Sequence, residues 1–203
     1  MGRQRIGRTE RRSQLLDAAE TAFASQPYES VQMDTVAREA GVSRALLYQH
    51  FASKRDLFAD VYRRAADRLL EATVLDGTRP LLEQVADGLD AHIDYFLANR
   101  EAVLAANRTL AGDPVIATII SDELSVLRER VVSAAHVEPE DRTLLGDILM
   151  GWLVFVRVLC VEWLTTQEYA RDILRDVCTR SLAGALGVIT AAAPGGTATT
   201  DDR

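Results

Sequence analysis

A chain of 203 residues with 48% hydrophobic and 26% charged content holds enough apolar surface for one large core or two smaller ones, which excludes a disordered polypeptide. Its formal charge of −7 is wrong for a uniformly basic nucleic-acid binder, but residues 1–64 carry +3 and the remainder −10. Five prolines and twelve glycines amid abundant helix formers predict an all-α architecture, and no strand pattern is present.

Residues 1–10 read as a flexible basic arm, in which Arg3, Arg5 and Arg8, followed by Arg11 and Arg12, face one acid, Glu10. Such an arm either follows phosphates or a minor groove, or is a solvated tail. The stretch Ala37–Phe58, AREAGVSRALLYQHFASKRDLF, carries the strongest signal: a helix, a glycine turn and a second short helix. Gly41 supplies the backbone freedom for the bend, and Ser43 is placed to cap a recognition helix beginning at Arg44. At 100° per residue, Leu47 and Phe51 turn inward and Ala45, Leu46 and Gln49 turn outward, with Tyr48 and His50 on the flanks. Short apolar and amide side chains suit base edges, whereas Tyr48, His50 and nearby Lys54 suit phosphates.

Ser53 caps a helix running to about Thr73, with Leu57, Val61, Ala65 and Leu69 on one stripe, until DGTRP (76–80) breaks it. A second apolar helix carries Leu82, Val85, Leu89, Ile93 and Phe96 and ends at Asn99. A short helix follows over Glu101–Leu110. Asp113 and Pro114 then open a helix with Ile116, Ile120, Leu124, Leu127 and Val131. From Arg142 to Thr165 two apolar stripes run side by side: Leu145, Leu149, Trp152, Val156, Leu159 and Trp163, and next to them Leu144, Ile148, Phe155 and Val158. Two stripes require two partners. With the last helix, 168–190, this predicts a four-helix bundle across a two-fold axis, Gly146 or Gly151 allowing close approach; the alternative is a wholly intramolecular core. Residues 191–203 have the composition of a disordered tail.

Cys160 and Cys178 lie in apolar helices and are expected as buried thiols, without the spacing of a zinc site or redox pair. His50, His92 and His136 lie far apart, and no metalloprotease pattern or glycine-rich phosphate loop appears, so no enzyme is expected. The reading finds no apolar run of membrane-spanning length and no secretory segment at the amino terminus, giving a cytoplasmic protein with no membrane partner. Arg157, set among valines, calls for an anionic partner, either an internal carboxylate or an acidic ligand.

From Arg11 to about Leu69 the chain resembles the TetR family of transcriptional regulators: RRSQLLDAAETAFA, then VQMDTVAREAGVS, then RALLYQHFASKRDLF leading into a long helix. Beyond Leu69 the likeness is one of size and helix order. The resemblance implies an all-α homodimer with a three-helix, helix-turn-helix DNA-binding head (11–53), a connecting helix (54–75) and a larger ligand-binding and dimerisation domain (76–190). It carries DNA contacts to Thr35, Ser43, Arg44, Ala45, Leu46, Tyr48, Gln49, His50 and Lys54. Leu46 departs from the small or hydroxyl residue usual there and suits a thymine methyl. It places a small-molecule effector, with no cofactor or metal, among His92, Tyr95, Phe96, Asn107, Trp152, Phe155 and Arg157. The mechanism it implies is repression of an inverted-repeat operator, relieved when ligand changes the spacing of the two heads. A constitutive architectural DNA binder and a helical enzyme are the rival readings.

Overall fold

The computed structural model describes residues 7–192 apart from Gly77 and His136, with side chains as far as Gly187. Arg3, Arg5, His136, the side chain of Ile189 and the tail beyond Ala192 therefore lie outside the described residues. Among those described, nine α-helices and no strand are present: α1 (Arg8–Ser25), α2 (Met33–Glu39), α3 (Arg44–His50), α4 (Lys54–Ala72), α5 (Leu81–Ala98), α6 (Arg100–Leu104), α7 (Pro114–Ala134), α8 (Arg142–Thr166) and α9 (Arg171–Ala192). A turn of 3-10 helix, Tyr28–Ser30, precedes α2.

Three boundaries differ from expectation, the last helix beginning at Arg171 rather than at 168. Residues Arg8 to Glu10 belong to α1 rather than to an arm, because the Gly7 carbonyl already accepts the first helical bond from Arg11, at 2.9 Å. The helix expected over 101–110 is α only to Leu104 and widens into a π-type turn over Ala105–Thr109. The caps are those the sequence predicts. Ser43 accepts from the Leu46 amide at 3.2 Å, Ser53 from the Asp56 amide at 3.1 Å, and Asp113 from Val115 and Ile116 at 2.9 and 3.2 Å.

The head core joins Leu15 and Phe23 of α1, Val36 of α2, Leu47 of α3 and Leu57 and Phe58 of α4. The Phe58 ring meets Phe23 and Tyr28 edge-on at centroid distances of 5.0 and 5.3 Å. This core does not stop at residue 53. It runs along α4 into Ala102, Ala106, Ile116 and Ile119, so the first half of α4 is part of the head as well as its link to the body. A second core lies among α5, α8 and α9 and contains Ile93, Phe96, Val156, Leu164 and Leu174. Cys160 and Cys178 are both buried there, and burial pushes their thiols up to about 12 and about 11.

Helix α8 overturns one expectation. With a mean hydropathy of 2.1 over an 18-residue window it is long and apolar enough to cross a membrane, because its apolar residues occupy most of its circumference. Only 39% of that window is buried. Leu144, Val154, Phe155 and Val158 stand exposed on its outer side, and Ile173 and Val177 of α9 are exposed as well. Gly146 faces inward, where a Cβ built on it would lie 4.0 Å from the Arg128 and Val132 side chains of α7, while Gly151 lies on the exposed side, where a Cβ would meet nothing within 4 Å.

The bend between α2 and α3 depends on Gly41, at φ +65°. The Val42 amide reaches back to the Ala37 carbonyl at 2.9 Å and the Gly41 amide to Arg38 at 3.1 Å, which closes α2 in a Schellman motif. Nothing lies within 4 Å of a Cβ built at this position. Gly41→Ala is therefore expected to cost about 1–2 kcal/mol through backbone strain alone, read as a lowered urea midpoint with an unchanged slope.

Candidate nucleic-acid interface and effector cavity

Helix α3 holds its inner face by Leu47, fully buried, with Phe51 buried at its carboxy-terminal cap. The opposite side is left to solvent: Arg44, Ala45, Tyr48 and Gln49 are exposed and Leu46 and His50 half-buried. Arg44 stacks 5.5 Å from the Tyr48 ring centroid and bonds Asp34 at 3.1 Å. Both partners of that pair are more than 60% exposed, so it constrains the guanidinium little. Thr35 is half-buried near the start of α2, where its hydroxyl accepts from Arg38 at 3.5 Å.

A groove lined by Arg8, Arg11, Leu46, Gln49 and His50 shows that the amino-terminal turn of α1 lies beside the recognition helix. Partial burial, with Arg8, Arg12 and Arg11 nearby, holds the His50 imidazole below its usual range. The positive end of the chain is thus concentrated on the α3 side. Arg12 is engaged elsewhere, over the Phe51 ring at 4.5 Å and paired with Asp60.

Lys54 needs a correction. Its ammonium donates to the Tyr28, Glu29 and Val31 carbonyls at 2.9, 3.2 and 3.1 Å and sits 4.5 Å from the Tyr28 ring centroid. All three of its protons are used in fastening the loop before α2 to the start of α4, so Lys54 positions the head and offers no donor to a phosphate. Close by, Arg55 grips Asp113 with two bonds, 2.6 and 2.9 Å, tying the start of α4 to the cap of α7.

The body contains a cavity of about 180 Å³ between the end of α4 and helices α5, α7 and α8. Leu69, Leu89, Leu124, Leu127, Trp152 and Val156 supply its apolar wall, and His92 lines it. Of the seven residues expected around an effector, only His92 and Trp152 border this space. The Trp152 indole N–H is already bonded to the Cys178 carbonyl at 2.8 Å. The His92 ring lies tilted against that of Phe96, centroids 4.0 Å apart, and its Nε2 is buried without a hydrogen-bond partner among the described residues. Burial, with Arg157 next in effect, lowers this imidazole to about 3 and keeps it neutral.

Phe155, Asn107 and Arg157 belong elsewhere. Phe155 is 41% exposed on the outer side of α8, because one helix cannot present neighbouring stripes to the same cavity. Arg157 is buried and finds its anion inside the chain. Its guanidinium donates to Glu123 Oε2 at 3.3 Å, to Asn107 Oδ1 at 2.9 Å and to the Tyr62 hydroxyl, and lies 5.7 Å from the Phe96 ring centroid. Burial raises the Glu123 carboxyl against the opposing pull of Arg157. Tyr95 is half-buried, and burial raises its phenol. Sequence reading missed Glu123. Its signal was a charge on the inward side of α7, one turn after Ile119 and next to Leu124.

No group of three or more histidine, cysteine or acidic side chains able to hold a metal occurs among the described residues. A capped short helix beyond a glycine bend, packed on the helix before it, is a helix-turn-helix. Residues 15–61 match the family model described as bacterial regulatory proteins, tetR family. The HTH-type transcriptional activator FasR of Mycolicibacterium smegmatis is 42% identical over 83 residues, 41% of this chain and 36% of the relative. The HTH-type transcriptional repressor AcnR of Corynebacterium glutamicum is 27% identical over 123 residues, 61% of this chain and 63% of the relative. The chain thus covers less than two thirds of either relative's length. A tetR-family transcriptional regulator from Streptomyces coelicolor superposes with a TM-score of 0.79 at 22% identity, over 92% of this chain and 84% of that one, a likeness of fold. Residues 15–61 thus carry the amino-terminal domain of the tetR family of bacterial regulatory proteins, and the rest of the chain shares the fold of the solved structure.

Two outcomes follow from the buried groups. Arg157→Met leaves Glu123, Asn107 and Tyr62 without their shared donor and is expected to cost about 3–5 kcal/mol in urea unfolding, most of it recovered when Glu123→Met is added. For His92 the folded value lies below the ordinary one, so its contribution is complete above about pH 6.5 and is lost as the unfolded chain takes up a proton the folded chain refuses. Between pH 6 and pH 4 wild type should lose up to about 1.4 kcal/mol per pH unit more than His92→Gln, measured by paired denaturant titrations.

Proposed function

We propose that this protein is a cytoplasmic, DNA-binding transcriptional repressor that acts as a homodimer and is released from its operator by a small molecule. The observation that carries the DNA-binding reading is the exposed face of α3, with Ala45, Leu46 and Gln49 outward and Arg8 and Arg11 alongside. Such a face enters a major groove, Gln49 reading a base edge, Leu46 meeting a thymine methyl, and Arg44 and Tyr48 meeting phosphates. Thr35 and His50 flank it; Ser43 contributes by setting the helix start.

Support for the dimer comes from α8 and α9, whose exposed Leu144, Val154, Phe155, Val158, Ile173 and Val177 form apolar outer faces that one copy leaves uncovered. Pairing these faces across a two-fold axis presents two α3 helices to successive major grooves about 34 Å apart, and so to an inverted repeat. The effector reading draws its support from the apolar-walled cavity beside the last turn of α4, the helix whose first turn follows α3. Because Arg55 clamps α4 to α7, a ligand that separates α7 from α5 also tilts the head.

Selection of duplex DNA from a random pool by the purified chain is expected to return an inverted repeat bound by two copies. Recovery of a motif without two-fold symmetry, or of none, would overturn the reading. On the selected operator, Gln49→Ala should alter the preferred base at one position of each half-site at a cost of about 1–3 kcal/mol, while Tyr48→Ala should weaken all sequences alike.

A further inference from the structure

The effector cavity is one chamber of two. It opens towards a groove of about 1010 Å³ bounded by the loop after α4, the start of α5 and the second half of α7. Val74, Leu75, Arg79, Gln84 and Arg130 border both spaces and so form the neck between them. The inner chamber, at about 180 Å³, is somewhat larger than an engineered cavity of about 150 Å³ that takes up benzene, so it holds one ring or a short chain.

The polar groups at the neck differ in how fully they are engaged. Arg79 is paired with Asp87 at 2.8 Å and approaches Asp76 at 3.9 Å. Gln84 is spent on the Asp76 amide and the Asp76 and Arg79 carbonyls, at 2.7, 2.6 and 2.9 Å. Arg130 is different. It is half-buried, and its only partner among the described residues is a neutral acceptor, the Leu70 carbonyl in the last turn of α4. The chamber wall therefore carries two cations, Arg79 and Arg130, against one acid, Asp87; Asp76 and Glu129 face the outer groove. Deeper inside, the His92 Nε2 is buried and unpartnered among the described residues, an unfavourable state that an incoming polar group would relieve.

Resting on the proposal that the body binds an effector, we infer that this effector is a small amphipathic carboxylate, its apolar body in the inner chamber and its carboxylate on Arg130 at the neck. A half-buried guanidinium with a spare hydrogen-bonding edge recognises a carboxylate by two parallel bonds, and the apolar wall selects the rest of the molecule. The contact also reaches the DNA-binding head. The guanidinium that takes the ligand is the one holding the Leu70 carbonyl, so occupancy loosens the end of the helix that starts just after α3.

The probe is 3-(4-hydroxyphenyl)propionate, whose phenol supplies a hydrogen-bonding group for His92, compared by calorimetry with its neutral amide and with the cation tyramine. The whole chain is used throughout. Wild type is expected to bind the carboxylate at least about 10-fold more tightly than the amide, and the amide more tightly than tyramine. Arg130→Met, with thermal unfolding confirming the fold, should bring the carboxylate down to the amide. Equal or stronger binding of the amide or of tyramine by wild type overturns the inference and leaves the effector reading standing, as does a carboxylate preference that survives Arg130→Met. If none of the three binds while the selected operator is still bound, both the inference and the effector reading fall, and the DNA-binding reading is untouched.

Discussion

One guanidinium holds the two halves of this molecule in register. Arg157, on the most apolar helix of the chain, reaches Tyr62 of α4, Glu123 of α7 and Asn107 in the turn after α6, so four separate segments share one buried donor. A charge in that position is tolerable only while all its partners stay in place, since removing any one leaves a polar group without water or bond. The network therefore restricts how α4 sits against the body. As α4 also supplies Leu57 and Phe58 to the head core, the orientation of α3 is tied to the packing around Arg157.

A second constraint comes from the distribution of charge and apolar surface. The basic excess of the first 64 residues, set against the acidic remainder, places Arg8 and Arg11 next to the outward face of α3. The body carries most of its exposed large apolar side chains on α8 and α9. One end is suited to a polyanion and the other to a second apolar face, with the cavity and the Arg55–Asp113 clamp between them. Signalling from body to head through such an arrangement needs only a shift of packed helices against one another.

Much of the head was legible in the sequence because its determinants are local. A glycine at positive φ, three side-chain caps and inward-facing Leu47 and Phe51 each act within one or two turns of chain, and each was read correctly from residue type and spacing. The two stripes of α8 were legible too, since periodicity alone divides a helix into faces. Their partners were not. Lys54 looked like a phosphate contact by position, but its three protons go to carbonyls of a loop more than 20 residues earlier. Asn107 and Phe155 were expected beside a ligand; one is bonded to Arg157 and the other is on the outside of α8.

Sequence by itself determined the helical class, the turn and caps that place the recognition helix, and the presence of one buried charge in need of an anion. These follow from backbone sterics, hydrogen bonds within a few residues and the 3.6-residue repeat. Only the tertiary structure decided that the anion is Glu123, that His92 and Arg130 border the cavity while Phe155 does not, and that the head core continues into the body. Periodicity fixes which side chains share a face, but the rotation and crossing of packed helices decide what that face meets.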